Sequence, residues 1–154
     1  MSMSKPLKPI LPTLPCLCAS FRRASRALTQ LYDKSLRPLG LQATQFTVLQ
    51  TLSLAGEVPQ GQLGWILAMD STTLTRTLEI MSRNNWITRR YGKDKRERLL
   101  QLAKAGEAQL KRASPHWEKV QAGLRRQLGK KNWHDFMKLT NEVTKAVTDK
   151  GDSR

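Results

Sequence analysis

A mainly α-helical fold carrying one small β-hairpin follows from three observations. Apolar residues recur at helical spacings of three and four over most of the chain, as in Leu17, Phe21, Ala24, Leu28 and Leu31. Near the middle the pattern changes to "WITRRY" and then "RLLQL", two short stretches that read as paired strands around the charged segment "GKDKRE". The length, 154 residues, is that of one domain able to bury a sizeable core.

Residues 1–15 are rich in Pro, Ser and Lys and read as an extended arm. A helix follows over about 16–36, and Pro38 and Gly40 end it. Thr44 is placed to cap a second helix with Phe46, Leu49 and Leu52, which runs to the "AGEVP" break at 55–59. Two shorter helices are expected over about 60–68 and 71–84, separated by "MD". Asp70 can cap the second of them, whose buried side is Leu74, Leu78 and Met81. Asn84 or Asn85 can take the left-handed conformation that ends it. The hairpin then turns near Gly92. Beyond Ala103, over about 104–149, two further helices are expected. One carries Leu110, Trp117, Val120, Leu124 and Leu128, with a kink at Pro115, and the other carries Trp133, Phe136, Leu139, Val143 and Val147. Residues 150–154 form a tail. The chain is thus expected to be one domain over 16–149, without internal repeats.

Composition sets the class of partner. The formal charge of +15 attracts polyanions at long range, whether nucleic acid, an anionic membrane surface or an acidic protein. No stretch approaches the roughly 20 apolar residues a membrane span needs. In "KPLKPILPTLP" four prolines interrupt what would be the core of a signal peptide, so a cytoplasmic protein with no membrane partner is expected. Cys16 and Cys18 are too close to staple a fold and should remain thiols in a reducing compartment.

Two short helices joined by a tight turn and followed by a basic hairpin make a winged helix-turn-helix, here over about 42–102. Its second helix presents Ser71, Thr72, Thr73, Thr75 and Arg76 away from the apolar side. Small hydroxyls reach phosphates or base edges without filling a major groove, and Arg can bond guanine through two hydrogen bonds. The hairpin supplies Lys93, Asp94, Lys95, Arg96 and Arg98. A narrow minor groove attracts Arg, and Arg96 is the residue expected to enter it. Asp94 beside phosphates makes sense if it holds a neighbouring Arg, with Arg98 as the expected partner. From Ser71 to Arg98 eight Lys and Arg face three acids, so the predicted reading head is basic.

These residues resemble the MarR family of transcriptional regulators over about Cys16 to Val147. "MDSTTLTRTLEIMSRNNWITRRYGKDKRERLLQLAKAG" looks like the family's recognition helix and wing, with Asp94-Lys95-Arg96 at its Asp-x-Arg motif. "LRPLGLQATQFTVLQTL" is similar to its link from the first helix into the second. The resemblance implies a dimeric winged-helix DNA-binding protein, often a repressor, that loses DNA affinity on binding small phenolic or other anionic molecules. Three positions depart from the family pattern: Ala103 replaces a capping Thr, Gly64 a more usual Ala, and Asn85 a helix-ending Gly.

Helices at both ends, about 16–36 and 104–149, carry apolar stripes that a small winged domain cannot cover, and a homodimer would bury them. A two-fold dimer implies a pseudo-palindromic operator in duplex DNA. The first helix also carries a polar stripe, Cys18, Arg22, Ser25, Thr29 and Tyr32. The family's effector pocket lies between its dimerisation helices and winged domain, which makes Arg22, Arg23 and Arg26 candidate anchors for an aromatic carboxylate or phenol and Tyr32 a candidate wall.

The alternative is a thiol-based oxidant sensor. Within the same family the organic-hydroperoxide regulators carry a reactive Cys early in this helix, and aligning "TQF" places Cys18 on it and Tyr32 on a partner Tyr. Arg22 and Ala43 stand where the other two tyrosines would be, and Cys16 is the neighbouring thiol. A more remote alternative is an RNA-binding module, although nine aromatic residues, most at apparent core positions, leave little for a base-stacking platform. No metal site, cofactor or enzyme activity is expected. His116 and His134 lie far from the cysteines, and neither a Gly-rich phosphate loop nor a Ser, His and acid set stands out.

Overall fold

The computed structural model describes residues 11–148, so part of the expected arm and the whole expected tail lie outside the described residues. Residues 11–16 form neither helix nor strand and fold back on the first helix, α1, Leu17–Leu36. The Ser20 hydroxyl donates to the Leu14 carbonyl (3.2 Å) and Arg23 donates to the Pro12 carbonyl (2.9 Å). A 3-10 turn over Arg37–Leu39, with Pro38 inside it, ends α1.

The second helix, α2, spans Ala43–Ala55, and its cap differs from the expected Thr44. Gln42 is the capping residue: its N–H donates to the Gln45 side chain (3.0 Å), while the Ala43 N–H donates to Asp33 of α1 (2.7 Å). Two free N–H groups at the helix start are thereby satisfied by side chains, and Thr44 stands two residues past the capping position. A two-residue strand follows, β1, Val58–Pro59. Helices α3, Gln60–Leu67, and α4, Ser71–Arg83, form the expected pair. They approach closely because Gly64 is buried at their contact, where a Cβ would lie 3.2 Å from Leu74 Cδ2.

Asp70 caps α4, accepting from the Thr73 N–H at 2.9 Å. The other end closes as a left-handed cap with Asn85 at φ 56°. The Asn85 N–H bonds the Ser82 carbonyl and the Trp86 N–H bonds that of Met81, each at 3.0 Å. Strands β2, Ile87–Tyr91, and β3, Arg98–Leu102, pair antiparallel with Arg89 opposite Leu100. β1 joins the other edge of β3, with Val58 opposite Leu100, and gives a three-stranded sheet in the order β1-β3-β2.

The last helical run, α5, Lys104–Thr148, breaks at Gly129 (φ 78°, ψ 158°). Only Gly adopts that backbone region without serious strain. Two helices are therefore present as expected, and the interruption at Gly129 falls in the expected junction between Leu128 and Trp133, while the backbone angles stay helical through Pro115, where the sequence predicts a kink. Arg125 before the break lies 5.1 Å from the centroid of the Trp133 ring after it, a cation–π contact across the turn.

The core lies inside the winged region. Leu36, Val48, Leu49, Leu63, Leu78, Met81 and Leu100 are fully buried there. Gln109, one of two buried polar residues among the described residues, is satisfied by donating to the Leu39 carbonyl at 2.8 Å. The terminal helices contrast with this: Leu17, Leu31, Leu128, Met137, Leu139 and Val147 are exposed. Among the described residues no helix is long and apolar enough to cross a membrane.

Candidate functional site

The candidate nucleic-acid surface is built from α4 and the β2–β3 hairpin, with α3 closing one side. Capping by Asp70 fixes the first turn of α4, and the Leu74, Leu78 and Met81 side enters the core, so the opposite side must face solvent. Ser71, Thr72, Thr75 and Arg76 lie together on that outer face. Ser71 and Thr75 also line a groove of about 910 Å³ that continues across to Arg96 and Arg98 of the wing. Six of the ten expected contact residues thus share one continuous surface.

The remaining four are distributed differently. The Thr73 hydroxyl donates to Asp70 (2.6 Å), so it completes the cap and is not free as a donor. These two hydrogen bonds, side chain first and backbone second, hold the Asp70 carboxyl below its usual range. Lys93 and Lys95 are exposed at the wing tip. Asp94 does not hold Arg98. Its carboxylate accepts from the Arg96 backbone N–H (2.9 Å) and its carbonyl from the Glu97 N–H (2.9 Å). A carboxylate two residues before an N–H reaches it without ordering a long side chain, and that local bond wins over an exposed ion pair. The tip is closed by the Gly92 N–H donating to the Glu97 carbonyl at 2.9 Å.

Three parts of this surface are invisible in the sequence. Gln60 of α3 donates to the Thr75 hydroxyl at 3.4 Å, and Trp65 of the same helix is largely exposed in the groove. Arg89 lines the groove with Nε and Nη2 buried and without a hydrogen-bond partner among the described residues. Arg90, the next residue, points to the other face and grips both carboxylate oxygens of Glu57, with Nε to Oε2 at 2.5 Å. The Arg90 bond lowers the Glu57 carboxyl below its usual range and raises the guanidinium in turn. Alternation along a strand separates Arg89 from Arg90, but only the fold shows which side meets Glu57.

A second cavity, about 330 Å³, lies between α1, α2 and α5. Tyr32 lines it as expected, and burial raises its phenol above the usual range, favouring the neutral form. Arg22, Arg23 and Arg26 do not line it. Arg22 turns towards Cys18, with Nη2 3.7 Å from Sγ, and Arg23 binds the Pro12 carbonyl. The polar stripe does form one face of α1, and Arg22, exposed like Cys18, Ser25 and Thr29, runs its side chain back along the helix to Cys18 and does not reach the cavity. Phe46 and Trp117 stack behind the cavity with centroids 5.9 Å apart. Cys16 and Cys18 are both exposed free thiols. Among the described residues no group of three or more His, Cys, Asp and Glu could hold a metal ion.

Comparison with known proteins agrees with this geometry. The profile of the MarR family matches residues 41–97, from the start of α2 to the wing tip. An uncharacterised HTH-type transcriptional regulator of Bacillus subtilis, YwoH, is 33% identical over 91 residues, which cover 59% of this chain and 66% of that protein. The crystal structure of the M. tuberculosis transcriptional regulator MosR in complex with DNA superposes with TM-score 0.79 at 35% identity, over 87% of this chain and 97% of that one. A mutant MarR from E. coli complexed with operator DNA shares the fold, with TM-score 0.74 at 24% identity over 82% and 92% of the two chains. A recognition helix capped by Asp70, a wing closed by Asp94 and a relative of nearly the same extent lead to one conclusion: the chain belongs to the MarR family of winged-helix transcriptional regulators.

Proposed function

We propose that this protein is a cytoplasmic homodimeric repressor that binds a pseudo-palindromic site in duplex DNA and leaves it when a small aromatic effector fills the cavity beside α1. The observation that carries the DNA reading is the continuous surface joining Ser71, Thr75 and Arg76 of α4 to Arg96 and Arg98 of the wing. α4 has the dimensions and polar face to enter a major groove, and the wing tip can reach the adjacent minor groove. The M. tuberculosis relative crystallised with DNA supports the same use of this fold. The dimer is supported by the exposed apolar residues of α1 and of α5 beyond Gly129, which the monomer's own core leaves uncovered.

Selection of bound fragments from random duplexes, followed by titration of the selected site, tests the reading. Arg96→Ala should weaken binding by about tenfold to a hundredfold, as loss of an inserted Arg costs about 1–3 kcal/mol, while Lys93→Ala should weaken it only modestly. Unchanged affinity for Arg96→Ala would remove the wing from the interface. Single-stranded RNA competing as well as duplex DNA would favour the RNA-binding alternative.

A second reading, oxidant sensing through Cys18, is favoured by the exposed thiol and by the Arg22 guanidinium 3.7 Å from its sulfur. The geometry suits a sulfenic acid or an intersubunit disulfide better than a bond to Cys16 two residues away. Cumene hydroperoxide should release DNA from the parent and not from Cys18→Ser; release persisting in the variant excludes Cys18 as the switch.

A further inference from the structure

We propose that Trp65 of α3 is a DNA-contact residue, its indole lying on a deoxyribose at the edge of the major groove and its Nε1–H donating to the adjoining phosphate. The proposal rests on the DNA reading and adds to it a contact that is apolar and uncharged. α3 turns Leu63 and Leu67 towards the core, and its other side, Gly61, Trp65 and Ala68, borders the groove of about 910 Å³. The indole is 70% exposed, so the fold makes little use of it. A Cβ on Gly61 would meet nothing within 4 Å, and Ala68 projects only a methyl group. The one large side chain of this face therefore has open ground on both sides.

Charge identifies the occupant. Arg89, Arg96 and Arg98 line the same groove against one acid, Glu97, among the described residues. Arg89 keeps Nε and Nη2 buried there without a hydrogen-bond partner among the described residues. A polyanion with apolar surface between its charges suits both halves of this lining, and a sugar–phosphate strand is such a ligand: guanidinium groups take phosphates while an indole covers a sugar. The place of α3 fits, because the first helix of a helix-turn-helix crosses the backbone while the second enters the groove. Gln60 at the start of α3 donates to the Thr75 hydroxyl (3.4 Å), which ties α3 to the outer face of α4. The indole has one donor and no acceptor, so it can bond a phosphate oxygen without adding a charge. A ring on a sugar reads no base, so it adds affinity without sequence preference.

Fluorescence anisotropy of the full chain with a duplex selected from random sequence, repeated over a series of salt concentrations, separates this contact from the ionic ones. Trp65→Ala should bind about tenfold more weakly with the salt slope of the parent, whereas Arg96→Ala should lower that slope by about one. The Trp65→Ala loss should be equal for duplexes carrying single base-pair changes. Trp65→Phe, which keeps a ring and lacks the donor, should fall between Trp65→Ala and the parent, and both variants should melt with the parent because the indole is exposed. Adding duplex should change the tryptophan emission of the parent more than that of Trp65→Phe, since the other three tryptophans are half-buried. Parent-like affinity in Trp65→Ala overturns the proposal, and a change in its sedimentation would give this face to a second copy instead. A smaller salt slope in Trp65→Ala also overturns it, because the indole would then act by placing a cation, and a loss confined to particular sequences would make Trp65 a base reader. A parent that binds no duplex removes the DNA reading itself, and the proposal with it.

Discussion

Asp70 and Asp94 do the same job at two ends of the candidate surface: each uses a short carboxylate to fix a backbone N–H group that would otherwise be free, and each thereby positions its neighbours. Asp70 is readable as a cap because its position before an apolar helical stripe is a local signal. Asp94 reads instead as a partner for Arg98, because two charges close in sequence suggest an ion pair, whereas the turn bond depends on a tip conformation that sequence does not specify. The Glu57–Arg90 pair is unreadable for a related reason: 33 residues separate its members, and only β1 pairing on the sheet edge brings them together. Its pH dependence has a defined sign. Binding Arg90 lowers the Glu57 carboxyl from its ordinary 4.5, so its contribution is complete above that value and is lost as pH falls through the lower folded value. The difference in Tm between the parent and Glu57→Gln should therefore be small but positive near neutral pH, and should close in acid below 4.5. A gap that persists unchanged in acid would show that Glu57 acts through something other than its charge.

At the scale of elements, the helices and the hairpin are legible because their periods of 3.6 and 2 run over enough residues to stand above background. β1, with two residues, has no period to read and is defined solely by its partner strand. Sequence points to Pro115 for a kink in α5 because a missing N–H is a strong local signal, yet a helix can absorb one lost hydrogen bond; the division between the two helices, expected between Leu128 and Trp133, is at Gly129, whose backbone angles a helix cannot absorb. Gly129→Ala should cost about 1–3 kcal/mol, read by chemical denaturation, because it places a Cβ in a region that side chains avoid. Gly106, in the first turn of α5, is constrained differently: a Cβ there would lie 2.0 Å from the Trp86 carbonyl oxygen and 2.9 Å from Leu102 Cδ1. Gly106→Ala should destabilise by about 1–3 kcal/mol and disturb DNA binding more than its distance from the wing tip suggests. By contrast, Leu78→Ala in the centre of the core should cost about 2–5 kcal/mol through cavity formation alone.

For the whole molecule, the division between a buried winged core and apolar terminal helices left in water follows from counting stripes against the surface available to cover them. Which residues of those stripes remain open does not, since that depends on where the chain folds back. Leu139 and Val147 are exposed, whereas Val143 is half-buried. Changing Leu139 and Val143 to Glu should convert the proposed dimer to monomer in sedimentation experiments and lower operator affinity through loss of the second half-site. A folded double variant that still sediments as a dimer would move the interface to another face. The Gly106 contact has a mechanical meaning at this scale. The Trp86 carbonyl accepts from the Ala103 N–H at 2.9 Å and also abuts the bare Cα surface of Gly106, so backbone meets backbone at the joint between the base of the wing and the long helix, with Leu102 packed beside it. Further along that same helix, Trp117 forms part of the cavity wall. Under the proposed function, α5 would be a lever with a stiff coupling at one end and a small chamber beside its shaft, and a tilt imposed at the chamber would reach the wing with little lost to slack.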